Sequence, residues 1–191
     1  MTKVVSFSRM ADGTREDYLL LDRAEREYAR TLPERVLAAL AKLDHSLEGY
    51  RLSRLEHCLQ TATRALNDGA DEELLAAALV HDIGDEFAPY NHAEVAAGVI
   101  RPYVRAEVTW IVEQHGLFQT YYYAHHLGGN RDARERLREH PWFEACASFC
   151  ERWDQASFDP NYPSQPLEAF APLIHRIFGR APHDPRYVAA P

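Results

Sequence analysis

The sequence predicts an all-α protein, and three observations carry that prediction. Two segments place a hydroxyl residue three positions before an acid, Thr14 with Asp17 and Ser53 with Glu56, the reciprocal pattern that caps a helix N-terminus. Apolar residues recur at three- and four-residue spacing, as in Val36, Leu37, Leu40 and Leu43. No run has the period-two alternation of a half-buried strand. A chain of 191 residues with 46% hydrophobic content is long enough to bury one sizeable core. The expected organisation is an N-terminal arm and helix over 1–34, a single helical bundle over 35–180 and a Pro-rich tail over 181–191.

The elements follow in order. After a loose arm, Thr14 opens a helix reaching about Ala29. Thr31 opens a second, with Pro33 in its first turn, where a missing N–H costs nothing. The stretch His45 to Tyr50 breaks it. Ser53 opens a third helix, which carries His57 and ends near Gly69. Asp71 starts a fourth, an apolar run ending at His81-Asp82, where Gly84 lets the backbone unwind. Asn91 with Glu94 caps a fifth, putting His92 on its first turn. A sixth spans Arg105 to His115 and is stopped by Gly116. An aromatic stretch over 118–126 follows, in which Tyr121, Tyr122 and Tyr123 either cover the core or wall a pocket. A charged helix covers Arg131 to Glu139; another starts at Pro141, turns Phe143, Cys146, Phe149, Cys150 and Trp153 inward, and carries Asp154 near its end. The turn-rich loop Phe158-Asp159-Pro160 is placed to close over a site, and a last helix spans Pro166 to Phe178.

Charge and cysteines exclude several functions. A net charge of −8 with no Lys/Arg-rich run argues against nucleic acid and against an anionic membrane surface. No segment reaches the roughly 18 apolar residues of a membrane span, and no apolar signal core follows Met1. Three cysteines without CxxC spacing read as free thiols in the cytoplasm. Cys146 and Cys150, four apart, are either a metal or redox pair or, the favoured reading, core packing.

The chemistry gathers around His81-Asp82. His57 precedes this pair, and His92, His115 and Asp154 follow, each on or at the end of an expected helix. Imidazole and carboxylate together suit divalent transition metals. Four histidines and two aspartates are enough for two ions, with Asp82 able to bridge them.

The order His57, His81-Asp82, His92, His115, Asp154 resembles the HD-domain superfamily of metal-dependent hydrolases and oxygenases, over roughly 50–160. The phrase Leu55-Glu56-His57-Cys58-Leu59-Gln60-Thr61-Ala62, with His81-Asp82-Ile83-Gly84, is similar to one branch, the mixed-valent di-iron oxygenases. That branch includes 2-amino-1-hydroxyethylphosphonate dioxygenase and, more distantly, myo-inositol oxygenase. The resemblance implies two iron ions, Fe(II)/Fe(III). His57, His81, Asp82 and Asp154 would hold one and His92 and His115 would complete the other, with Asp82 bridging. It also implies O2 as co-substrate and oxidative cleavage at the carbinol carbon of a small hydroxylated molecule of amino-alcohol or hydroxyphosphonate type. The alternative within the superfamily is a two-metal phosphohydrolase using Mn or Mg, with Arg101, Arg105 and Arg152 as candidate phosphate contacts. A non-catalytic ligand-binding domain is the third reading. A small-molecule substrate is expected in each enzymatic case, and a homodimer is allowed for.

The sequence departs from the branch in three places. Relatives carry a tyrosine and a glutamate, three apart, before the first histidine, and the tyrosine caps an iron. Here Leu47 and Tyr50 stand there, with Glu48 between them, so whether Tyr50 or Glu48 gates the iron stays open. Where relatives place a cationic or imidazole substrate contact, Asp85 stands, and where they place a lysine, Gln119 stands. Asp85 is therefore expected to act at the substrate beside Asp82, with Gln119, Tyr122 and Tyr50 as further substrate contacts. A carboxylate in the pocket and aromatic faces favour a neutral or amine-bearing substrate over a dianionic phosphonate. The competing expectation is that Asp85 merely accepts a hydrogen bond from a ligand histidine.

Overall fold

The computed structural model describes residues 4–45 and 49–183. Leu47 and Glu48, and the tail beyond His183, lie outside the described residues. Among the described residues eight α-helices carry the fold: α1 (Arg15–Arg30), α2 (Leu32–Lys42), α3 (Arg54–Asn67), α4 (Glu72–Val80), α5 (His92–Ile100), α6 (Ala106–Tyr123), α7 (Phe143–Phe149) and α8 (Leu167–Phe178). Short 3-10 turns link them, and among the described residues there is no strand. None of these helices is long and apolar enough to cross a membrane.

The helix starts follow local chemistry. Thr14 accepts from the Asp17 N–H while the Asp17 carboxylate takes the Thr14 N–H, closing a capping box on α1. Ser53 and Glu56 do the same for α3. Asp71 caps α4 by accepting from two backbone N–H groups, of Glu73 and Leu74. At α5 the expectation holds only in part. Asn91 is the N-cap residue, but its side chain takes no backbone N–H and instead donates to Glu94.

Packing puts α4 at the centre. It is apolar all round, every residue from Leu75 to Val80 is buried, and it touches α3, α6 and α8. A helix without a polar face is stable only where neighbours cover it on all sides. Around it α5 packs on α6, α6 on α7 and α2 on α8. Asp17 is the one buried residue of α1, where Ser6 and Thr14 donate to its carboxylate and tie the N-terminal arm to the helix.

Three sequence expectations are corrected. The sixth helix does not stop at Gly116 but runs on through the tyrosines to Tyr123. A helix-interior glycine costs about 1 kcal/mol relative to alanine, whereas burying a phenylalanine contributes about 1.5–3 kcal/mol. Phe118 is fully buried on the face already formed by Val108, Ile111 and His115, so tertiary packing overrides the glycine. The expected charged helix over 131–139 is only a 3-10 segment, Ala133–Leu137. The helix expected from Pro141 starts at Phe143, and it ends in a π-helical turn, Cys150–Asp154.

Candidate metal centre

Five helices deliver the six candidate ligands, His81 and Asp82 sharing one helix end. His57 lies in the first turn of α3. His81 caps the C-terminus of α4, and Asp82 follows it with non-helical backbone angles, φ −102° and ψ 8°, so both side chains turn into the same space. His92 opens α5 and His115 sits midway along α6. Asp154 ends the π-helical turn after α7, where the Gln155 N–H reaches back to the Cys150 carbonyl. The extra residue of that wider turn rotates the backbone and aims Asp154 inward, a role such turns often have at functional sites.

The four imidazoles converge on Asp82 in two pairs. Asp82 Oδ2 lies 3.5 Å from His57 Nε2 and 3.5 Å from His81 Nε2. Asp82 Oδ1 lies 3.3 Å from His92 Nε2 and 3.2 Å from His115 Nε2. Asp154 Oδ1 completes the first group, 3.2 Å from His57 Nε2 and 3.6 Å from His81 Nε2. The structure thus brings together all six residues named from the sequence. Two buried three-residue groups within them, His57/His81/Asp154 and His81/Asp82/His115, have ligand atoms mutually within 4.8 Å.

The far side of each ring shows why the near side suits a cation. His57 Nδ1 faces the Ser157 carbonyl at 2.9 Å, His81 Nδ1 the Ala78 carbonyl at 2.9 Å, and His115 Nδ1 the Val112 carbonyl at 2.6 Å. Carbonyls only accept, so each Nδ1 carries the hydrogen and each Nε2 presents its lone pair or a titratable proton to the centre. His92 Nδ1 lies 3.4 Å from Asp85 Oδ1. Asp154 Oδ2 is buried with no hydrogen-bond partner among the described residues. A buried unpartnered carboxylate oxygen beside converging imidazoles fits a metal position.

Electrostatics agrees. Burial opposes charge on His57 and His81, yet the carboxylates of Asp154 and Asp82 outweigh it and push both imidazoles above their ordinary pKa. Burial would also raise Asp82, but His81, His115, Arg54 and His57 reverse this and hold it well below the usual carboxylate range. Metal binding displaces such protons, because ligands must be deprotonated.

A cavity of about 360 Å³ opens over the cluster, lined by Tyr50, Arg54, Gln119, Tyr122, Tyr123, Gln155 and Phe158 together with ligand residues. Tyr50, Gln119 and Tyr122, the expected substrate contacts, line this cavity. Asp85 does not line it. Its carboxylate sits 2.8 Å from Arg54 Nε and 3.4 Å from His92 Nδ1, which also faces the Pro89 carbonyl at 3.4 Å. Arg101, Arg105 and Arg152 also stay off the wall, paired with Glu113, with Asp71, Glu73 and Glu107, and with Asp68. Asp159 is held through its backbone by Gln60 and lies outside the ligand set. Cys58, Cys146 and Cys150 are buried free thiols, and burial raises Cys58 and Cys150 well above the ordinary thiol pKa.

The residue sequence reasoning missed is Arg54. It is the first residue of α3, largely buried, and its Nη1 donates to Asp82 Oδ2 at 2.9 Å. Its signal was present, since a cation in a helix's first turn opposes the helix dipole and needs another reason to be there. Three residues before His57, it shares that histidine's face of the helix. Gly116 was misread as a helix stop; it lines the cavity, and a Cβ there would stand 4.0 Å from His92 Nε2.

The model of the HD domain matches residues 54–155, the stretch from Arg54 to just past Asp154. The chain belongs to the HD-domain family. No curated protein matches it. HD domains are generally metal-dependent enzymes, and the helices that make this HD domain are those that deliver the His/Asp cluster.

Proposed function

We propose that this HD domain is a di-iron oxygenase that oxidatively cleaves a small hydroxylated substrate bearing an anionic group. The carrying observation is the division of Asp82, one oxygen toward His57 and His81 and the other toward His92 and His115. Each metal position then has two imidazoles and a shared carboxylate. That donor set suits iron or manganese rather than magnesium, which prefers oxygen ligands and water. The likeness of Leu55 to Ala62 to the di-iron oxygenase branch supports the choice of iron. When bound, a mixed-valent iron pair supplies O2 activation and chelation of a substrate hydroxyl.

The chain's own residues shape the rest. Arg54, held by Asp82 and Asp85, turns a guanidinium edge to the cavity and orients an anionic group. Gln119, Gln155 and Tyr122 offer neutral hydrogen bonds to hydroxyls, and Phe158 and Tyr50 exclude water. Asp85, 3.4 Å from His92 Nδ1, helps the Pro89 carbonyl steady that ring rather than meeting substrate. The nearby protein charge is two negative, Asp82, Asp85 and Asp154 against Arg54, and two metal ions of charge two or more exceed it. An anionic substrate balances the excess, which reverses the polarity expected from Asp85 alone.

Arg54 also favours a second reading, a manganese-dependent phosphohydrolase, because a guanidinium at a two-metal site suits a phosphate ester. Incubating iron-loaded and manganese-loaded protein with hydroxyphosphonates, hydroxy acids, amino alcohols and phosphate esters, while recording O2 uptake and phosphate release, separates the two. Oxygen consumption requiring iron supports the oxygenase. Phosphate release at full rate without O2 decides for the hydrolase.

A further inference from the structure

One buried amide ties the cavity wall to the helix that carries the first ligand. Gln60 lies on α3 three residues after His57 and is 3% exposed. Its Nε2 donates to the Asp159 carbonyl at 2.7 Å, and its Oε1 accepts from the Asp159 N–H at 3.3 Å. One side chain thus grips the peptide units on both sides of Asp159 and fixes the backbone there relative to α3. Flanking Asp159 are two groups that touch the metal centre. The Phe158 ring stacks on His57, centroids 4.4 Å apart and planes 25° apart, and lines the cavity. The Ser157 carbonyl is the acceptor of His57 Nδ1–H.

The contrast with the other ligands makes the clamp specific. His81 and His115 lean on carbonyls three residues earlier in their own chain segment, Ala78 and Val112. His57 instead leans on a carbonyl 100 residues away. That carbonyl belongs to a non-helical strap between the π-helical turn and α8; Ser157 is tied back to the turn, its N–H to the Asp154 carbonyl and its hydroxyl to the Trp153 carbonyl, and α3 reaches the strap through side chains. Thr63 accepts the Gln165 N–H, and Arg64 lies over the Tyr162 ring at 3.9 Å, further along the same strap. Of these α3 side chains, Gln60 makes the contact nearest the metal centre.

We propose that Gln60 is a positioning residue. Through Asp159 it holds the Ser157 carbonyl on His57 and sets the height of Phe158 above the ring, so it governs the first ligand's tautomer and the depth of the cavity. The claim rests on the metal centre but is indifferent to the choice between oxygenase and hydrolase chemistry.

The test uses the full chain loaded with cobalt(II), whose paramagnetism moves the exchangeable Nδ1–H signals of ligand histidines clear of the rest. Gln60→Met keeps the volume and removes both hydrogen bonds; Gln60→Glu keeps the shape but cannot donate to the Asp159 carbonyl. In both variants the His57 Nδ1–H should exchange with water at least about tenfold faster, while those of His81 and His115 stay as in the wild type. Cobalt affinity should fall about tenfold, the lower end of what loss of a ligand-orienting partner costs. A merely structural glutamine would lower the melting temperature and move all three signals together, or none, and either result overturns the proposal. Unchanged exchange at the Asp159 amide in Gln60→Met, which alone removes its acceptor, would overturn it as well. A wild type that binds no cobalt would instead sink the metal-centre reading, and the clamp would then be judged by Asp159 exchange alone.

Discussion

His57 Nε2 and His81 Nε2 lie 3.1 Å apart in a fully buried setting, while the other nitrogen of each ring already donates to a carbonyl. Two bare lone pairs at that distance repel, so a proton or a cation must sit between them. Without metal it is a proton, consistent with the raised pKa of both rings. A group raised above its unfolded value of about 6.5 contributes stability that is complete below that pH and lost as pH rises through the folded value. Metal-free protein should therefore lose melting temperature as pH is raised above about 6.5. Metal-loaded protein should not, and metal uptake should release protons. Thermal scans with and without chelator, and calorimetry in buffers of different ionisation enthalpy, check both.

Asp82 serves both halves of the centre, and that gives an asymmetric expectation. Asp82→Ala should abolish binding of both ions. His92→Ala should leave the first ion, held by His57, His81 and Asp154, and weaken the second by about 10–100-fold. Elemental analysis of dialysed variants measures this directly. Two ions retained by Asp82→Ala would refute the bridging role.

Gly84 is expected to be intolerant of any side chain for a reason of contact, not backbone angle. A Cβ there would overlap the His92 backbone carbonyl, because the turn after Asp82 packs directly on the start of α5. Gly84→Ala must push α5 away and take His92 with it. Forced overpacking of this kind costs about 1–3 kcal/mol, or roughly 2–4 °C of melting temperature per kcal/mol for a chain this size. The variant should lose second-site metal before it loses the fold. A stable variant with full metal content would show that the turn can adjust.

What the sequence disclosed followed the range of each signal. The Thr14/Asp17 and Ser53/Glu56 boxes are complete within four residues, so they were readable in isolation. The six-residue cluster was readable because its residue types are rare and its order matches a known superfamily. Gly116 was misread because local cost argued for a helix end, while the burial of Phe118 that overrules it is a tertiary fact. The neighbours of Asp85 were not legible for the same reason, since Arg54 and His92 come from other helices. The π-helical turn that aims Asp154 has no local sequence signature, because apolar spacing alone does not tell a five-residue hydrogen-bond step from a four-residue one.

Substrate polarity gives the last prediction, and it turns on separating Arg54 from Asp85. In Arg54→Gln the guanidinium is lost from the cavity, so an anionic substrate should bind more weakly. A hydrogen bond to a charged group contributes about 1.5–3 kcal/mol, which corresponds to roughly 10–150-fold in KM. The single variant is ambiguous, because it also leaves Asp85 and Asp82 without their partner, and burial together with Asp82 already raises the pKa of Asp85. The double variant Arg54→Gln/Asp85→Asn removes that confusion by deleting the pair's charges together. If Arg54 touches the substrate, the double variant keeps the high KM for anionic substrates and retains both metals. If Arg54 only neutralises Asp85, the double variant recovers wild-type KM. Asp85→Asn alone frees Arg54 from one of its carboxylates, so it should tighten anion binding while weakening the hold on His92. An Asp85→Asn variant that instead loses activity on amines with both metals retained would return the polarity argument to Asp85 and place it at the substrate after all.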